Sequence, residues 1–258
     1  MTSIMKNNST LPYIKVLKTV FSLIVILLIW EALALLVNDG YFLPDVLQTA
    51  TALKSILLGG AFFKVVFTAI YRVLLGLFLG VIFGTLLGAI CHRYDIINTV
   101  ISPIISIMKA TPVACIIVLL WIRLNYTEIA VFVVVLMVLP IIWQNVFDGL
   151  RAIDKGLCEV ADVFELTPLQ RIKVLVIPSV LSYLLPAIVT SVGLAWKAEV
   201  AAEIMTNSNM GRLIYDFKTV SFDTASIFAW TVVIVTFSIA FEWLTKRLLG
   251  RVINDLKA

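Results

Sequence analysis

The chain has 258 residues, of which 61% are hydrophobic and 14% charged, and its mean hydropathy is +1.06. Such a composition cannot cover a soluble surface, so lipid is the main solvent. The net charge of +4 is scattered between apolar runs rather than gathered into a basic stripe, which argues against nucleic acid as a partner. One histidine, His92, cannot build a histidine metal cluster. Cys91, Cys115 and Cys158 show neither a C-x-x-C spacing nor a disulfide framework.

In hydrocarbon the backbone must satisfy its own hydrogen bonds, which leaves helices or a closed barrel. Runs such as "FSLIVILLIWEALALLV" do not alternate as barrel strands would. The expected fold is therefore all-α: a polytopic integral membrane helical bundle of about six spans. The first, Val16–Val37, carries Glu31, which lipid exposure would penalise, so it is expected to pair with a cation or face the protein interior. This run is also too long for a cleavable signal peptide. "YFLPDVLQTATALKSILLGG" then opens at Pro44 and closes at Gly59-Gly60, predicting an amphipathic surface helix within an outer segment, 38–66.

The second span, Phe67–Cys91, holds Arg72, expected to orient helices, and Gly76, Gly80, Gly84 and Gly88. Glycines four residues apart share one helix face and let another backbone approach closely, which predicts tight packing. The third and fourth spans are Val100–Ile122 and Ile129–Phe147, and Lys109 lies within the third. The charged segment 148–177 follows. There Arg151–Glu165 predicts a helix with Val160, Val163 and Phe164 on an apolar side. Thr167, Pro168 and Gln170 then form a capping signal for a second short helix that ends near Pro178. Two capped helices are more than a reconnection needs and suggest a docking surface.

The fifth span, Ser179–Val200, ends in "GLAWKAEVAAEIM". Glu199 and Glu203 share a helix face and repel, so they need a partner or water, whereas Lys197 points elsewhere. Lys109, Lys197, Glu199 and Glu203 are candidates for a translocation pathway or gate, with an interfacial polar cluster as the alternative for Lys197 and Glu199. Trp196 either stacks on a solute or packs in the interior. A second outer segment, 206–223, precedes the sixth span, Thr224–Leu244. With an inside N-terminus, the inner segments hold Lys6, Lys15, Lys18, Arg93, Arg151, Lys155, Arg171, Lys173, Lys246, Arg247, Arg251 and Lys257. The outer segments hold only Lys54, Lys64, Arg123, Arg212 and Lys218. This bias places both termini in the cytoplasm.

The segment "EVADVFELTPLQRIKVLVIP" resembles the cytoplasmic E-A-A loop of ABC-importer permeases. Glu159 and Ala161 match the pattern, Val160 replaces its middle Ala, and Leu175, Ile177 and Pro178 match its ending. Glu165 stands at the Gly slot, where a left-handed turn costs Glu more than Gly. "YFLPDVL", "YRVLLGLFLGVIFGTLLG", "IMKATPVACIIVLLW" (with Lys109 at the usual Arg slot) and "GLAWKAEVAAEIM" are similar, in order and spacing, to the nitrate/sulfonate/taurine branch. The resemblance implies a type I importer permease in a prokaryotic cell membrane, a single transmembrane domain over 1–258. A second permease chain would complete the pore, with a homodimer expected ahead of a heterodimer.

By the same resemblance, a cytoplasmic ABC ATPase dimer would bind ATP and Mg and dock on Glu159, Ala161, Asp162, Glu165, Leu175 and Pro178. An extracytoplasmic binding protein would deliver a small solute, anionic or zwitterionic, for passage by alternating access, with Glu203 of the A-A-E ending at the gate. The chain has no G-x-x-x-x-G-K-[ST], so nucleotide and any other cofactor belong to partners. A secondary transporter or channel working alone, a membrane-embedded enzyme and a vitamin-importer energy-coupling subunit are the competing classes. The first would favour inverted repeats or broken helices around an ion site, and no convincing repeat is evident. The second would want a nucleophile constellation, against which one histidine and scattered cysteines argue. The third would carry longer coupling helices.

Overall fold

The computed structural model describes residues 12–255. Lys6 and Lys257 lie outside the described residues, as do the side chains of Lys15 and Arg251. The described residues form two units by their contacts, one made of 12–59 and 217–230, the other of 60–216 and 231–255.

In the first unit, α1 (Pro12–Val37) presents its apolar side chains outward, as a lipid-facing span does. Among the described residues its half-buried Glu31 pairs with no cation; Oε2 instead accepts a hydrogen bond from the Val46 amide at 3.0 Å. That amide opens α2 (Val46–Leu58), where unpaired N–H groups and the helix dipole both favour a carboxylate. Asp45 caps the same helix through a reciprocal box with Gln48. The Trp30 indole donates to the Pro44 carbonyl at 3.0 Å, and its ring lies 5.7 Å from Phe228.

The second unit is built on α3 (Phe62–Arg93) and α6 (Tyr126–Arg151), which run parallel. A Cβ at Gly76 would stand 2.6 Å from Val134, at Gly80 2.8 Å from Val138, at Gly84 2.8 Å from Ile142, and at Gly88 2.8 Å from the Trp143 carbonyl. No alanine fits at these distances, so the glycine face lets two backbones approach where branched side chains fill the gap. α9 (Ile177–Met205) packs on α6, and α11 (Thr224–Asp255) closes on Trp196 through Phe237 and Phe241.

The third span departs from expectation. Instead of one helix over Val100–Ile122, α4 (Asp95–Ala110) and α5 (Val113–Trp121) meet at a 97° bend. Pro112 has no N–H to continue the ladder and forces extended backbone on Thr111, whose ψ is 126°. Among the described residues five helices are long and apolar enough to cross a membrane, or six if the bent pair is one span.

The charged segment also divides differently. α6 runs on to Arg151, and α7 is only Lys155–Val163 because Asp154 caps it, accepting from Gly156 N–H at 2.8 Å. α8 (Pro168–Arg171) starts at the Thr167–Gln170 box that the spacing predicts. It does not end near Pro178. A π-helical stretch, Ile172–Val176, carries it directly into α9, and residues 168–205 form one apolar span. Pro178 cannot donate to Val174, and the wider turn, with Ile177 N–H bonding Ile172 O, absorbs the missing donor.

Candidate functional site

Near the N-terminal ends of α3 and α6, the last turns of α9 bury Glu199 and Glu203, both 0% exposed, beside Arg72 at 3%. Arg72 Nη1 donates to Glu203 Oε1 at 2.6 Å, and Nη2 donates to Thr127 Oγ1 at 3.1 Å. The guanidinium also lies 5.7 Å from the Tyr126 ring. α10 (Asn209–Thr219) completes the arrangement. Asn209 Nδ2 donates to Glu203 Oε1 at 2.7 Å and to the Val65 carbonyl at 2.9 Å, and Met210 N–H donates to Oε2 at 3.1 Å. One carboxylate thus gathers donors from α3 and α10. A charge this deeply buried requires such pairing.

Glu199 is different. It lies 4.0 Å from Arg72 Nη1, and neither of its oxygens has a hydrogen-bond partner among the described residues. The cluster holds two carboxylates against one guanidinium. The turn beyond α9 is held by Ser208 N–H on the Glu203 carbonyl at 3.0 Å, with Asn207 at φ 50°. Gly211 packs so close that a Cβ there would stand 2.0 Å from the same carbonyl. Only glycine allows that approach.

The remaining gate candidates do not converge on this cluster. Trp196 is buried, with Nε1 donating to the Ile234 carbonyl at 3.0 Å and its ring stacked near Phe237 and Phe241. Its partners are those of a packing residue. Lys197 is exposed on another face. Lys109 is exposed and reaches Gln144 Oε1 at 3.3 Å, in the last two turns of α6, where Gln144 in turn bonds Asp148 at 3.0 Å.

At the opposite end of the second unit, α7 turns into α8 through a left-handed residue, Glu165, at φ 50°. Leu166 N–H bonds Ala161 O and Glu165 N–H bonds Asp162 O, both at 3.0 Å. These are the paired bonds of a Schellman closure, so Glu fills the Gly slot in the very conformation that Gly would take. Asp162 pairs with Arg171, whose Nε also holds the Leu166 carbonyl at 3.2 Å. Ala161 is buried at 2%. Glu159 is exposed, and its side chain makes no hydrogen bond or ion pair among the described residues. Around it α7 and the following turn leave Val160, Val163 and Phe164 exposed, Val163 at 79% and Phe164 at 74%. Leu175 and Pro178 are half-buried farther along.

Arg72, Asn209 and Gly211 are the participants that sequence patterns did not assign to this site. A cation in an apolar span was the signal for Arg72, but its partner lies 131 residues away. Nothing local marks Asn209 or Gly211.

A parallel glycine seam, a bent third apolar run and a charged helical hairpin are the marks of a multi-pass membrane bundle. Residues 76–254 match the model of the binding-protein-dependent transport system inner membrane component, and the chain belongs to that family. It is a multi-pass membrane protein, a pore component of the ABC-importer type rather than an enzyme. A Bacillus subtilis (strain 168) chain named as an aliphatic sulfonates transport permease protein, SsuC, is 28% identical over 212 residues, covering 81% of this chain and 76% of that one. The fold is shared with the MetNI methionine ABC transporter in inward-facing conformations. Two crystal forms of it give TM-scores of 0.64 and 0.62 at 16% identity, covering 74% and 72% of this chain and 96% and 94% of theirs. An amino acid ABC transporter structure with histidines gives 0.55 at 18% identity, covering 72% of this chain and 91% of its own.

Proposed function

We propose that this chain, one transmembrane domain over 1–258, forms half of a pore that carries a small anionic or zwitterionic solute inward, and that residues 148–177 dock a cytoplasmic ATPase pair. In this reading both termini are cytoplasmic, segments 38–66 and 206–223 face outward, and a second copy of the chain closes the pore within the lipid. An extracytoplasmic binding protein hands over the solute, and ATP with Mg stays on the ATPases. The sulfonate named for the Bacillus relative supports the anionic class.

One observation carries the docking role: the exposed Val160, Val163 and Phe164. Exposed apolar side chains on the spans have lipid to cover them. α7, with Lys155, Glu159 and Asp162 among its nine residues, is too polar for lipid and too apolar for water alone. A groove on a partner satisfies both faces. The unbroken helical run from Pro168 to Met205 gives docking a mechanical consequence. Displacement of α8 moves α9 and with it Glu203, whose bonds to Arg72 and Asn209 would open or close the far end.

The test reverses the charge at the exposed, unpartnered position. Glu159→Lys should insert and fold normally but lose ATP-driven uptake in proteoliposomes by roughly tenfold or more, the worth of one charge-assisted contact. Unchanged uptake together with unchanged ATPase co-purification removes Glu159 from the coupling surface.

A further inference from the structure

A cavity of about 310 Å³ opens in the second unit beside the Arg72 cluster. Lys64, Arg72, Tyr126, Asn207, Ser208 and Arg212 stand in its wall. Three of these side chains are cationic and the others carry hydroxyl or amide groups, and no carboxylate contributes to the lining. The two acids nearest Arg72, Glu199 and Glu203, are wholly buried behind it. They offset the charge of Arg72 but present no oxygen to the cavity.

Lys64 has no ion-pair partner among the described residues. Among the described residues the ion-pair partner of Arg212 is Asp216, one helical turn on, at 3.9 Å with both side chains largely exposed. That is a weak, screened contact that leaves the guanidinium available. Two uncommitted cations therefore face one volume together with a tyrosine hydroxyl. Arg72 Nε, on the wall group itself, lacks an acceptor as well.

We propose that this cavity is a binding site for a single oxyanion group, a sulfonate or phosphate carried on a small organic body. Lys64 and Arg212 supply the charge, and Tyr126 and Asn207 supply neutral donors, the Ser208 hydroxyl being engaged with Thr206 Oγ1 at 3.0 Å. The volume matches a small ligand rather than a bare ion, and forked guanidinium donors suit the two or three equivalent oxygens of such a group. Neighbouring polar groups are already committed. The Thr68 hydroxyl donates to Lys64 O, and the Asn209 amide is divided between Val65 and Glu203. An anionic solute and the headgroup of an anionic lipid offer the same chemistry. The solute case rests on the import reading above; the lipid case does not.

The test uses the full chain in phosphatidylcholine nanodiscs, titrated with radiolabelled ethanesulfonate by equilibrium dialysis. In a second arm the nanodiscs contain phosphatidylglycerol, and retained lipid is read by native mass spectrometry. Saturable ethanesulfonate binding is expected, weakened about tenfold in Lys64→Gln and again in Arg212→Gln, and kept in Lys64→Arg. The altered side chains are exposed, so folding should survive, and an unchanged melting curve verifies it. Phosphatidylglycerol retained by the parent chain, lost in the same variants and not displaced by ethanesulfonate, assigns the oxyanion to lipid. Absence of both ligands, or affinities indifferent to Lys64→Gln and Arg212→Gln, overturns the site. Failed uptake by the parent chain with binding intact counts against import alone.

Discussion

The turn after α7 and the turn after α9 share one backbone device in two different settings. Leu166 N–H returns to Ala161 O in the first and Ser208 N–H to Glu203 O in the second, each at 3.0 Å, and the left-handed residues Glu165 and Asn207 both sit at φ 50°. After α9 the residue suits the conformation, since Asn tolerates it, and a buried ion cluster fastens the turn from inside. After α7 the residue does not suit it, and the fastenings are an exposed ion pair and a capping box. The same hydrogen bonds therefore make a rigid end and a yielding one. What differs is the burial of the charges around them.

The comparison breaks most violently at the buried turn. Glu203→Ala leaves the buried donors of Arg72, Asn209 and Met210 without their acceptor, while Glu199 at 4.0 Å still offsets the charge of Arg72, at a cost of about 3 kcal/mol. Thermal unfolding in detergent should show a large drop or no folded chain at all. Gly211→Ala comes next, since a methyl 2.0 Å from the Glu203 carbonyl must push α10 off α9. A loss of roughly 1–3 kcal/mol in the same melt is expected, and an unshifted melt would show that α10 is not seated there. Glu165→Gly sharpens the contrast with the opposite sign. It relieves the strained position at the yielding end by about 0.5–1 kcal/mol, whereas Asn207→Gly at the rigid end should gain nothing measurable. Asp162→Ala is the smallest, no more than about 0.5 kcal/mol, because the pair with Arg171 is 39% and 63% exposed. Adding salt to the parent chain should reproduce much of that small loss.

What the sequence made legible follows the range over which each signal acts. The apolar spans and the Thr167–Gln170 cap are decided by neighbours within a few positions, and hydrocarbon leaves the backbone one choice. The family likeness was readable for the same reason, as ordered local motifs. Pro112 was in plain view, yet the apolar run around it hid a 97° break, because hydropathy averages over a proline. Asp154 shortened the first loop helix by competing for its start, and the π turn before Pro178 carried the second onward. The pairing of Arg72 with Glu203 spans 131 residues, and no local pattern can announce it. Glu165 ran against its own preference because two backbone hydrogen bonds outweigh the penalty of one left-handed residue.

The glycine seam between α3 and α6 has an ambiguity built into it. Gly76, Gly80, Gly84 and Gly88 meet Val134, Val138, Ile142 and Val146 at one constant step, so displacing one rod by that step would seat most notches again. A ruler with identical graduations needs a zero mark. The bond from Arg72 to Thr127 ties a single point on α3 to a single point on α6, and a chain lacking it could lock one tooth out of place while its apolar surfaces remained just as well covered.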